Sequence, residues 1–174
     1  MKIAIIGFSG SGKSTLAKRL SKKLNAELLY LDTVHWLPGW IERDDKEKEG
    51  ILETFLNEHD NWVIDGNYKR ILFDRRMKEA DMIVCLRFNR FACLTRVVKR
   101  YIQNKGKSRD SITEGCEERL NIQFLSWVLF KGRTRKKKKF FDEIAKQYPD
   151  KITVIRNQKQ LDNFEKNWDR EGLK

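Results

Sequence analysis

The chain has 174 residues, of which 40% are hydrophobic, a size and fraction that fit one domain around one substantial core, 1–174. Its 37 lysines and arginines against 25 aspartates and glutamates leave a formal net charge of +12, which favours anionic partners but suits nucleotides, phosphorylated substrates, nucleic acid and acidic lipid equally. Cys85, Cys93 and Cys116 are odd in number and lack the CxxC spacing of a zinc or redox motif, and no apolar run approaches the ~20 residues of a membrane span, so a cytoplasmic protein with no membrane contact is expected.

Ile3 to Ile6 form a continuous apolar run, the pattern of a strand buried on both faces of a parallel sheet. After a glycine-rich loop, Leu16, Ala17, Leu20 and Leu24 recur at helical spacing with Lys18, Arg19, Lys22 and Lys23 opposite, which predicts a helix over Lys13 to Leu24. LLYL (Leu28 to Leu31) reads as a second strand ending in Asp32, and WVI (Trp62 to Ile64) as a third ending in Asp65 and Gly66. Between them, acidic Glu42 to Asp60 reads as one or two helices.

MIVCL (Met82 to Leu86) is a fourth strand, followed by an arginine-rich helix from Arg90 to about Tyr101. Lys105 to Glu118 is polar and glycine-bearing, the composition of a mobile loop or lid. Leu120 to Phe130 returns to an aromatic helical pattern, and the basic run Lys131 to Lys139 leads into a further helix to Tyr148. Ile152 to Ile155 is a last strand and Leu161 to Trp168 a closing helix. Strands alternating with helices predict a three-layer α/β fold, a parallel sheet flanked by helices.

GFSGSGKST fits G-x-x-x-x-G-K-[ST], with Gly7, Gly12, Lys13 and Ser14 at the fixed positions. Gly7, Ser9, Gly10, Ser11 and Gly12 let the backbone turn its N–H groups towards phosphate oxygens, and the following helix presents the positive end of its dipole. Lys13 would reach the β and γ phosphates, Ser14 would offer a hydroxyl to Mg²⁺, and Thr15 would support the α phosphate side. Because the motif follows a buried strand and opens a helix, nucleoside triphosphate binding is the firmest functional expectation.

Asp65, closing a hydrophobic strand, suits either a group that helps hold hydrated Mg²⁺ or orients the acceptor, or a turn residue before Gly66. Asp32 suits either a base that positions an acceptor hydroxyl or a helix N-cap. His35 beside Trp36 is expected to pack; Trp36 and Trp40 bracket a Pro38–Gly39 turn and can line an acceptor pocket, whereas Trp62, Trp127 and Trp168 are expected in the core. Cys85 is expected to be buried and inert. Arg96 and Arg100 lie four apart on one helix face, where they repel unless a phosphate or carboxylates lie between them or they are simply solvated. Arg109 and Arg119 flank the polar loop as candidate lid arginines. The basic run is the obvious nucleic-acid candidate, but a solvated helix face explains it as well, with Arg133 or Arg135 helping at the phosphate site.

Taken in order, GFSGSGKSTLAKRL, LDTVHWLPGW, WVIDGNY, CLTRVVKR, SRD with EGCEE, FLSW and VIRNQKQLDNF give the chain a full-length likeness. It resembles the adenylate-kinase-like P-loop proteins called DNA topology modulation proteins (FlaR-like). Where those carry Arg-Pro-Asp and Gly-Cys-Pro, this chain has Arg109 followed directly by Asp110 and Cys116 by Glu117. The resemblance implies a P-loop NTPase fold of the nucleoside-monophosphate-kinase kind, Mg-ATP at Gly7 to Thr15 with Arg96 nearby, a lid around Lys105 to Glu118, and adenine near Arg156 and Asn157. The expected activity is ATP-dependent phosphoryl transfer to an unidentified small molecule or nucleotide, with Lys13, Asp32, Asp65, Arg96, Arg100 and Arg109 in the reaction and Ser14 and Asp65 at the metal. The alternative is an ATP-responsive regulator that affects DNA topology, with or without direct DNA contact.

Overall fold

Ile3, Ala4, Ile5 and Ile6 are wholly buried in β1 (Lys2–Gly7), the middle strand of a five-stranded parallel sheet. The computed structural model describes residues 1–118 and 120–171, with side chains to Trp168. After β1 come α1 (Lys13–Leu24), β2 (Glu27–Tyr30), α2 (Leu31–His35) and a small antiparallel hairpin of β3 (Trp36–Leu37) and β4 (Ile41–Glu42). Next are α3 (Asp45–Glu58), β5 (Trp62–Asp65), α4 (Phe73–Glu79) and β6 (Met82–Leu86). The chain continues through α5 (Arg90–Asn104), the polar loop, α6 (Ile122–Leu129), α7 (Arg135–Gln147), β7 (Ile152–Ile155) and α8 (Gln158–Glu171). The sheet order is β2-β5-β1-β6-β7, with Tyr30 and Ile5 both opposite Asp65 and Gly7 opposite Leu86.

Successive strand residues point to opposite faces, and that alternation sorts the core into two halves. Ile3, Ile5, Val63 and Val84 pack with Leu16 and Leu20 of α1, Cys93 and Val97 of α5 and Leu161 of α8. Ala4, Ile6, Ile64, Ile83 and Cys85 pack with Leu52 and Leu56 of α3, Met77 of α4 and Phe141 and Ile144 of α7. With helices on both faces, a ligand approaches from the carboxyl ends of the strands, where Gly7, Asp65 and the residues after Tyr30 lie side by side.

Several boundaries differ from those expected. β2 stops at Tyr30, so Asp32 is the second residue of α2 rather than the end of a strand; nor is it the N-cap, a position held by extended Tyr30. The acidic stretch is a single helix, α3, whose N-cap Asp44 accepts from the Lys46 N–H at 2.9 Å, while Glu42 belongs to β4. α4 falls where no element was expected, because seven residues rich in charge offer too little apolar periodicity. α5 runs on to Asn104, and α6 starts at Ile122 under an Asn121 cap. All three cysteines are buried and free, and burial pushes the Cys85 thiol up to about 12. Trp62 is fully buried and Trp168 half-buried against Phe164. Trp127 is not a core residue: it is 40% exposed.

Candidate phosphate site

The turn out of β1 depends on glycine twice. Gly7 has φ +139°, and a Cβ there would lie 2.2 Å from the Leu86 carbonyl oxygen; at Gly10, φ +75°, a Cβ would meet Val97 Cγ2 at 2.7 Å and the Cys93 carbonyl oxygen at 2.8 Å. The loop therefore lies flat on β6 and α5. Gly12 opens α1 with no side-chain cap and no acidic residue in the first turn, so the orphan N–H groups and the positive end of the helix dipole face outward. Lys13 Nζ donates to the Phe8 carbonyl at 3.2 Å, arching over the loop. Thr15 is exposed on the first turn.

Beneath the loop, Ser14 Oγ donates to Asp65 Oδ2 at 2.6 Å. Asp65 is 7% exposed, and burial drives its carboxyl up to about 6 against the opposing pull of Lys13 and the Ser14 bond. Its Oδ1 is buried without a hydrogen-bond partner, as is Ser11 Oγ. A serine hydroxyl beside a carboxylate with one unused oxygen is a hard-oxygen pair that fits Mg²⁺. Among the described residues no group of three or more His, Cys, Asp or Glu could hold a metal unaided.

Asn67, which the sequence reading passed over, ties the loop to β5. Its Oδ1 accepts from the Gly7 N–H at 2.9 Å and its Nδ2 donates to the Gly7 carbonyl at 2.8 Å, extending the ladder by a side chain where the strand has ended. Arg76, wholly buried, shapes the segment that carries Asn67: it donates to the carbonyls of Gly66, Tyr68 and Ile71 at 3.2, 2.7 and 3.2 Å. Burial draws its pKa down to about 9.

Arg96 and Arg100 part company. Arg96 Nη1 donates to the Ser11 carbonyl at 2.8 Å, Nη2 to Gln158 Oε1 at 2.6 Å, and the guanidinium lies 4.0 Å from the Phe88 ring centroid. It props the loop from α5 and links it to the start of α8. Arg100 instead donates from Nε to Glu118 Oε1 at 2.8 Å, with Nη2 2.6 Å from the same oxygen. Arg109 Nε lies 2.5 Å from Glu118 Oε2 as an ion pair, without hydrogen-bond alignment. The buried carboxylate of Glu118 is thus clamped between two arginines, and no anion shared by Arg96 and Arg100 is needed. Arg119 lies outside the described residues.

The polar loop, expected to be a mobile loop or lid, makes contacts with α1, α2 and the hairpin. Gly115 carbonyl accepts from the Gly39 N–H at 3.2 Å, Cys116 Sγ donates to the Leu37 carbonyl at 3.2 Å, and Trp40 Nε1 donates to the Glu117 carbonyl at 3.2 Å. Thr113 Oγ1 donates to the carbonyls of Thr33 and Trp36, and Lys18 pairs with Asp110. The loop therefore roofs α2 and the hairpin and reaches α1 at Lys18.

Under that roof, Asp32 Oδ1 accepts from the Tyr68 hydroxyl at 2.7 Å, and His35 packs 4.6 Å from the rings of both Trp36 and Tyr68. Asp32 acts electrostatically on both Asp65 and Arg100. Arg156 and Asn157 are exposed; the Asn157 side chain accepts from the Gln160 N–H at 2.9 Å, and the Arg156 N–H donates to Gln160 Oε1 at 2.7 Å. They stand beside the phosphate loop through the Arg96–Gln158 link. Arg133 touches the loop at Phe8, lying 4.1 Å from that ring's centroid, and donates to the Val128 and Phe88 carbonyls and to Cys93 Sγ. Trp127 also reaches the loop, donating from Nε1 to Ser9 Oγ at 3.2 Å.

A glycine loop between a buried strand and an uncapped helix, with Lys13, Ser14 and a buried carboxylate beneath it, defines a P-loop nucleotide-binding protein with the kinase-like α/β architecture. The chain belongs to the AAA domain family, which matches residues 3–119. YqaC of Bacillus subtilis (strain 168), an uncharacterized protein, is 29% identical over 127 residues, 72% of this chain and 70% of that one. A putative adenylate kinase of Thermococcus gammatolerans is 30% identical over 126 residues, 69% and 65% of the two chains. Shikimate kinase from Acinetobacter baumannii, solved in complex with shikimate, shares the fold with a TM-score of 0.57 at 16% identity, over 99% of this chain and 95% of that one.

Proposed function

We propose that the protein is an ATP-dependent phosphotransferase acting on a small-molecule acceptor in the cytoplasm. The observation that carries this is the Ser14–Asp65 pair with its partnerless Oδ1, within electrostatic reach of Lys13 and of Arg109 in the polar loop, where Arg109 shares Glu118 with Arg100 of α5. The relationship to a putative adenylate kinase and the likeness in fold to shikimate kinase support the same reading.

The outward N–H groups of the loop and of α1 bind the β and γ phosphates, and Lys13 exchanges the Phe8 carbonyl for a phosphate oxygen. Ser14 and Asp65 would hold Mg²⁺, which would supply charge neutralisation to the phosphates. Arg100 and Arg109 stabilise the charge of the transferring group, and Asp32 orients the attacking oxygen. Arg96, held on the loop's flank, keeps the Ser11 peptide in place, and the adenine lies towards Arg156 and Asn157. A direct DNA contact through the exposed lysines of Lys131 to Lys139 is possible but not favoured, since Arg133 is buried and Lys137 lies 5.3 Å over the Trp127 ring.

The test is transfer of label from [γ-³²P]ATP with Mg²⁺ into a small-molecule extract. Transfer that falls at least about 100-fold in Arg109→Ala is expected, the scale of losing a transition-state charge partner; no transfer, or transfer indifferent to Arg109, would refute the reading.

A further inference from the structure

The first turn of the phosphate loop is held by side chains from far along the chain. Trp127, in the last turn of α6, donates from Nε1 to Ser9 Oγ at 3.2 Å. Glycine at 132 lets the indole lie there: a Cβ on Gly132 would stand 3.0 Å from Trp127 Nε1 and 2.8 Å from its carbonyl oxygen. Lys137 Nζ lies 5.3 Å over the indole, and Arg133, in the turn between α6 and α7, stacks 4.1 Å from the Phe8 centroid. The buried Phe8 ring meets Phe141 of α7 edge-on at 5.3 Å. Phe8 and Ser9 are thus both seated by α6, α7 and the turn between them, whereas Ser11 is seated from α5 through Arg96.

The direction of the Trp127 bond decides what Ser9 can do. An indole N–H only donates, so the Ser9 oxygen accepts and keeps its own O–H to give, and among the described residues no group accepts it. A hydroxyl that accepts one bond is polarised into a stronger donor for the next. The Lys13 contact shows which phosphate lies nearest. Its ammonium, the group that meets the β and γ oxygens, rests 3.2 Å from the Phe8 carbonyl, which belongs to the Phe8–Ser9 peptide itself. The other end of the loop, through Ser11 and Gly12, leads into α1. We infer that Trp127 is a positioning residue that sets specificity: its indole holds the Ser9 hydroxyl ready for the terminal phosphate, so that the loop distinguishes a nucleoside triphosphate from a diphosphate. This rests on the reading of the loop as a triphosphate site. A diphosphate offers no γ oxygen to Ser9, so the Trp127–Ser9 pair adds to ATP affinity and not to ADP affinity.

The experiment is calorimetric titration of Mg-ATP and Mg-ADP into the parent, Trp127→Phe, Ser9→Ala and the double variant. Trp127→Phe keeps an aromatic ring beside Lys137 and removes the N–H donor. Ser9→Ala should weaken Mg-ATP at least about 10-fold, the loss of a hydrogen bond to a charged oxygen, and Trp127→Phe about 2- to 10-fold, the loss of a neutral one. Mg-ADP should change by less than about 1.5-fold in both, within the scatter of an independent site, and the double variant should bind Mg-ATP as Ser9→Ala does, because Trp127 acts through Ser9. Equal losses for ATP and ADP would overturn the inference, since they mark a residue that only keeps the loop folded. A Trp127→Phe protein that binds ATP as tightly as the parent, or losses that simply add in the double variant, would overturn it too. Where Trp127→Phe does not fold, Ser9→Ala alone decides: an ATP loss without an ADP loss supports the inference and equal losses overturn it. A parent that binds neither nucleotide would instead remove the triphosphate reading of the loop.

Discussion

Replacing Asn67 by alanine deletes both hydrogen bonds that fix Gly7 on its β5 side, one accepted from the Gly7 N–H at 2.9 Å and one donated to its carbonyl at 2.8 Å. Gly7 is buried, so both backbone groups lose their partners where water is scarce. Each buried orphan costs about 1–3 kcal/mol, an upper sum of about 6 kcal/mol. Asn67 itself is only half-buried, so water entering its place recovers part of this, and a loss of about 3 kcal/mol is expected. For a chain of this size that lowers Tm by about 6–12 °C. Asn67→Asp should be no better at pH 7, since it keeps an acceptor for the N–H but sets a carboxylate oxygen against the Gly7 carbonyl. Urea and thermal unfolding followed by circular dichroism measure the effect. A change within about 0.5 kcal/mol, the scatter of an ordinary surface substitution, would refute the idea that a side chain carries the strand ladder into the phosphate loop.

Asp65 gives a pH signature in metal-free protein: its carboxyl, raised by burial to about 6 from 3.8, prefers the protonated form when folded. The resulting stability is present in full below about pH 4 and is lost as pH rises through 6, a span of about 3 kcal/mol. Asp65→Asn, neutral throughout, should therefore be more stable than the parent at pH 7.5 without Mg²⁺, with the gap closing by about pH 4, and should lose any stabilisation by Mg²⁺; pH-dependent urea titrations of both proteins check this. Glu118→Gln removes the charge that compensates Arg100 and Arg109, whose side chains are 27% and 16% exposed. It should cost about 3 kcal/mol and speed trypsin cleavage at Lys105 and Lys107; an unchanged cleavage rate would mean the clamp does not hold the loop down.

The strand, glycine loop and helix at the amino end were legible because each requirement is local: four apolar residues, glycines where a Cβ would strike Leu86 or Cys93, and an amphipathic helix. The five strands were legible from apolar runs for the same reason. What escaped depends on partners far along the chain. LLYLD reads as strand to its end because an apolar run does not tell a strand from the first turn of a helix, whereas Leu31 in fact opens α2 and lies close against Gly66. Arg96 and Arg100 share a helix face in sequence, yet their partners come from Gln158 and Glu118, so their separation could not be read from a spacing of four. Asn67 and Arg76 act on backbone groups, and sequence patterns carry no mark of which carbonyl an amide or guanidinium will meet. Trp127 reads as a core residue from its type, yet it is 40% exposed and its indole donates to Ser9, far away in sequence.

Isothermal titration of Mg-ATP into the parent protein and into Lys13→Ala tests the central claim most directly. One saturable site is expected in the parent, weakened about 10- to 150-fold in the variant, the worth of a charged hydrogen bond of about 1.5–3 kcal/mol. A parent that binds neither Mg-ATP nor Mg-GTP, or a variant that binds as tightly as the parent, would contradict the account.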